Sequence, residues 1–166
     1  MGRKRKVPKL PKRLYKRSQE TLEYWPEVTK RRKYKYFFHP KHHGAGGPTD
    51  SRWSPDVSRA EEFSIFDGAD EKDLADEDAN LYNVRKAADG SILELGVFHE
   101  QIARFWKPRA TADAWHGHPL WPIEAGGPSN RARQSCRPGT LVFRRLVEQG
   151  VLSERDSYRL NNGKNI

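Results

Sequence analysis

The chain has 166 residues, 35% hydrophobic and 32% charged, with a formal net charge of +9. That polarity suits one modest core, and five Trp, six Tyr and seven Phe exclude a wholly disordered chain. Cys136 is the only cysteine, which excludes an intramolecular disulfide and a four-thiolate zinc site.

The charge is unevenly placed. Residues 1–41 hold fifteen Lys/Arg against Glu20, Glu23 and Glu27, about +12, so everything from His42 onward nets about −3. A dense local field of this kind suits a polyanionic partner, with nucleic acid first and an acidic protein surface second. No window of 18 apolar residues occurs, and no apolar run follows the basic N-terminus. The expectation is therefore a protein with no membrane contact and no secretory signal, soluble and cytoplasmic. Arg3-Lys4-Arg5-Lys6-Val7-Pro8 would also serve nuclear import in a eukaryotic cell.

In chain order, residues 1–17 carry nine basic groups, no acid, and Pro8 and Pro11, which predicts a disordered basic arm. Arg3, Lys4, Arg5, Lys6, Lys9, Lys12 and Arg13 are its candidate phosphate contacts. Residues 18–48 read as a basic, aromatic extension. A short helix is expected over 18–25, then a strand over 33–38 in which cation and aromatic alternate, then a Gly-rich loop. Lys30, Arg31, Arg32, Lys33 and Lys35 can neutralise phosphates, while Tyr34, Tyr36 and Phe38 would share a face on which bases stack. That combination favours RNA or single strands, because paired bases have no free faces.

Residues 49–166 are expected to form a small α+β domain: a β-hairpin, short packing helices and a C-terminal helical hairpin. Ser54-Pro55-Asp56 predicts a helix start, with its end by Gly68. Between Asp50 and Asn80 eleven acids face three bases, a stretch that could compete for the arm or simply be a solvated face. Asp89-Gly90 between the β-prone runs 81–86 and 92–97 predicts the hairpin. Phe98, Ile102 and Phe105 recur at helical spacing, which predicts a helix over 97–106. Leu141, Val142, Leu146 and Val147 predict a helix ending at Gly150, and Ser153 should cap a second one. That pair is not read as a DNA-reading helix-turn-helix, since Asp156 and Arg159 fall where the motif needs buried apolar side chains.

Arg131, Arg133, Arg137, Arg144 and Arg145 form a second basic cluster, with no acid between Glu124 and Glu148. His116 and His118 bracket Gly117 in a Trp- and Pro-rich segment, a candidate acid-base pair for phosphodiester cleavage. A small toxin-like ribonuclease is accordingly the alternative to a binding protein, and an assembly protein whose arm contacts RNA is a third. The order His116 or His118, Gly126-Gly127, Asn130 is partly similar to that of HNH nucleases. No histidine follows His118 and the Asp-His start is absent, so membership is not assigned. No cofactor is implied with certainty. A divalent metal at His39, His42, His43 and Cys136 is open on residue type, although the spacing matches no standard zinc finger.

Overall fold

The Asp89-Gly90 turn closes as its residues dictate. Gly90 N–H donates to the Ala87 carbonyl (3.0 Å), Gly90 takes φ +86°, and the Asp89 carboxylate accepts from Ser91 N–H (2.9 Å) and hydroxyl (2.6 Å). The computed structural model describes residues 34, 36–44, 51–110, 114–120 and 138–166. They comprise a 3₁₀ turn (Pro40–His42), α1 (Arg59–Glu71), β1 (Leu81–Lys86), β2 (Ile92–Leu93), β3 (Ile102–Trp106), β4 (His116–Leu120), α2 (Thr140–Glu148) and α3 (Glu154–Asn161). The strands form an antiparallel sheet of order β2-β1-β3-β4, so this is a small α+β domain. No described helix is long and apolar enough to cross a membrane. The predicted basic arm and the helix expected over 18–25 lie outside the described residues.

Helix α1 starts four residues after the expected position. Ser54 closes a turn, with Val57 N–H on the Ser54 carbonyl, and Ser58 supplies the cap by accepting from Glu61 N–H (3.1 Å). Ser58-Arg59-Ala60-Glu61 is the stronger start signal, and its acids at 61 and 62 suit the helix dipole. The helix also runs past Gly68, because Gly68 is a packing position. A Cβ there would stand 3.2 Å from the Asn83 amide of β1, whose NH₂ donates to the Ile65 carbonyl. Ile65, Phe66 and Ala69 bury the sheet-facing side of α1.

The helix expected over 97–106 is a correction: residues 102–106 form β3, paired to β1 on one side and β4 on the other. The spacing of Phe98, Ile102 and Phe105 was incidental. Ile102, Arg104 and Trp106 alternate with Ala103 and Phe105 at period two, and pairing on both sides satisfies the backbone. The approach to β3 is a tight turn in which Glu100 folds back. Its carbonyl accepts from Leu95 N–H (2.6 Å), its carboxylate accepts from Phe98 N–H (2.8 Å), and His99 sits at φ +65°.

Tyr36, Phe37 and Phe38, expected to belong to a separate extension, are buried with the domain core. Tyr36 makes an isolated parallel bridge to Trp115 rather than a strand, and its ring packs against Phe66, Phe38 and Phe105 (centroids 4.7, 5.2 and 5.9 Å). At the C-terminus, α2 buries Val142, Phe143 and Leu146, Gly150 takes φ +66°, and Ser153 accepts from Asp156 N–H. The helical hairpin therefore forms where expected.

Candidate nucleic-acid interface

Strand register builds the site. Tyr82, Arg104 and His118 are cross-strand neighbours, as are Trp106 and His116, so these side chains share the face of the sheet opposite the one carrying Leu81, Asn83 and Phe105. Arg104 Nε donates to the Tyr82 hydroxyl (2.5 Å), which donates to the Asp76 carboxylate (2.8 Å). The guanidinium carbon lies 5.1 Å from the Tyr82 ring centroid and 4.7 Å from that of Trp106. Trp106 Nε1 in turn donates to His118 Nε2 (2.9 Å). Burial, then the hydrogen-bonded Asp76, hold the Tyr82 phenol above its ordinary range against the pull of Arg104.

Four imidazoles converge beside this row. The His42 ring centroid lies 4.9 Å from that of His118 and 6.3 Å from that of His116, with near-parallel planes, and His39 lies 5.5 Å from both His42 and His116. Burial, then the neighbouring His39, His42 and Lys41, lower the His116 pKa to about 4. Burial, then His42, lower that of His118 to about 3. Geometry agrees for His118. Its Nε2 accepts from Trp106, so the ring is the neutral tautomer whose Nδ1–H points at the Pro119 carbonyl (2.8 Å). His42 Nδ1–H donates to the Ser51 carbonyl (2.6 Å).

His43 turns away from this group. Its Nε2 lies 2.8 Å from Glu62 Oε2, a close electrostatic contact rather than an aligned hydrogen bond, and Tyr36 donates its hydroxyl to Glu62 Oε1 (2.5 Å). Glu62 is fully buried, and that burial raises its pKa.

The expected site residues separate as follows. His116 and His118 come together, but both ring nitrogens of His118 are engaged, so it can neither take nor give a proton without breaking one of those bonds. Tyr36, expected to present a plane to bases, is 1% exposed in the core and cannot do so. Tyr34 is half-buried against Trp115 (4.9 Å between centroids). Arg145 is structural: it donates to the Asp73 and Ala75 carbonyls (3.1 and 3.2 Å) beyond the end of α1. Arg144 is exposed, 3.7 Å from Glu148. Arg3, Lys4, Arg5, Lys6, Lys9, Lys12, Arg13, Lys30, Arg31, Arg32, Lys33, Lys35, Arg131, Arg133, Arg137 and Cys136 lie outside the described residues. Among the described residues no three His, Cys, Asp or Glu side chains are arranged to hold a metal ion.

The residues that sequence reasoning missed are Arg104 and Trp106. Their signal was present in Arg104-Phe105-Trp106-Lys107-Pro108-Arg109, a second interleaving of cations and aromatics, but the helical assignment of 97–106 concealed it. No protein-family model matches the chain, and no curated protein or solved structure matches it either.

Proposed function

We propose that this chain binds nucleic acid, RNA before DNA, with the cationic N-terminal region supplying salt-sensitive affinity and the folded domain supplying orientation. The observation that carries this reading is the charge asymmetry, fifteen Lys/Arg against three acids within residues 1–41. Each cation that neutralises a phosphate releases a condensed counter-ion, so affinity gained this way falls linearly with salt on logarithmic axes. Of the row on this sheet face only Trp106 is exposed, with Lys107 and Arg109 exposed just beyond it, while Tyr82 and Arg104 are buried beneath and position the indole. An imidazole with both nitrogens engaged and a depressed pKa is a poor acid-base partner, which is why binding ranks above cleavage.

The test is fluorescence anisotropy with a labelled single-stranded RNA across a salt series, comparing the full chain with one lacking residues 1–17. If the nine cations of that arm all contact phosphate, the slope of log affinity against log salt flattens by about 6 on a single strand. An unchanged slope removes the arm from the mechanism, and no binding to RNA or DNA in dilute salt removes the function. Co-purification of a protein partner that survives exhaustive nuclease treatment would favour an acidic protein surface instead.

A further inference from the structure

We propose that Trp106 is a stacking platform for one unpaired nucleobase, with Lys107 and Arg109 contacting the adjoining phosphates, so that the folded domain prefers single-stranded to duplex nucleic acid. This rests on the nucleic-acid reading above and assigns a place and a strand preference to it.

Trp106 is 38% exposed at the end of β3, whereas Phe105 beside it is fully buried and fills the core. Strand alternation explains why the two rings point to opposite faces, but not why the outward one is a tryptophan held by two polar side chains, His118 and Arg104. Its indole N–H is fixed to His118, and the Arg104 guanidinium lies 4.7 Å from its ring centroid. Arg104 is fixed by Tyr82, and Tyr82 by Asp76. The ring is thus immobilised before any ligand arrives, and little rotamer freedom remains to be lost on binding.

The local charge selects the ligand. Between Gln101 and Leu120, Arg104, Lys107 and Arg109 face a single acid, Asp113. Lys107 and Arg109 are exposed immediately beyond the indole. An exposed indole beside two exposed cations matches a base next to its phosphates, a pairing of ring and charge that every nucleotide of a single strand repeats. A duplex buries its base faces in its own stack and can use only the cations.

The experiment measures affinities of the full chain and of Trp106→Ala and Trp106→Phe for a short oligoadenylate, as RNA and as DNA, single-stranded or annealed to its complement, at one salt concentration. Trp106→Ala should weaken single-strand binding roughly 5- to 150-fold while moving duplex binding less than about twofold, and Trp106→Phe, which keeps a ring, should recover most of the loss. Losses on RNA and DNA single strands should be equal, because the indole N–H is already engaged by His118 and the ring meets the base rather than the sugar. Unchanged single-strand affinity in Trp106→Ala overturns the proposal, as does an equal loss on single strand and duplex. Failure of the wild-type chain to bind any of these probes is a separate result, which overturns the parent reading.

Discussion

Lowering the pH from 7 to 5.5 should destabilise this protein through His116 and His118. Both have folded-state pKa values, about 4 and about 3, below the ordinary 6.5, so the unfolded chain takes up protons in this range that the folded one refuses. A depressed pKa contributes stability that is complete above the unfolded value and is lost as pH falls towards the folded one. Over this interval each imidazole forfeits about 1.3 kcal/mol, so the two together lose about 2.5 kcal/mol, a large share of a small domain's stability. Glu62 and Glu100, whose pKa values burial raises, act in the opposite direction, since their contribution is lost as pH rises through those raised values. The comparison is therefore between wild type and a His116→Gln, His118→Gln double variant, in which the carboxylate contributions cancel. Urea unfolding at the two pH values should show wild type changing by about 2.5 kcal/mol more in the destabilising direction than the double variant, whatever the shared contributions of Glu62, Glu100 and His99. Parallel pH dependence would refute the account of the buried imidazoles.

Two further substitutions probe the scaffold beneath the site. Gly117→Ala should cost about 1–3 kcal/mol or more, because a Cβ there would lie 2.2 Å from Phe105 Cδ1 and 3.0 Å from the Arg104 carbonyl oxygen, and Phe105 is hemmed in by Tyr36, Phe66 and Trp53. A change below about 0.5 kcal/mol in urea unfolding would show that the ring has room to move. Glu62→Ala should cost about 2–4 kcal/mol by stranding the buried Tyr36 hydroxyl and the His43 imidazole, and adding Tyr36→Phe should return part of it. Additive losses in that double variant would contradict the shared hydrogen bond.

What could be read from the sequence was what is decided locally. Asp89-Gly90 carries its turn, Gly150 its left-handed helix end, and Ser153 its cap, each within a few residues. Strand β3 was illegible because its stabilising partners come from distant segments, and three apolar residues at helical spacing offered a convincing local alternative. The alternation of Tyr34 and Tyr36 was visible, but not that Tyr36 would be enclosed by Phe66 and Phe105, since burial depends on chain that arrives later. The gathering of His39 and His42 with His116 and His118 has the same character. Spacing shows pairs, and only the fold makes them four.

The acids of residues 50–80 have a consequence for how the cationic region would behave. Glu61 is taken by Arg85 (2.6 Å), Glu62 is sealed beneath Tyr36 and His43, Asp73 meets Arg145 (3.3 Å), and Asp76 receives Tyr82 and Asn80. A stretch whose formal sum is about −8 thus keeps part of its anionic character as mortar between secondary elements. The field it projects outward is weaker than that sum, and an N-terminal tether seeking an internal decoy would find fewer unclaimed carboxylates than a tally of letters promises.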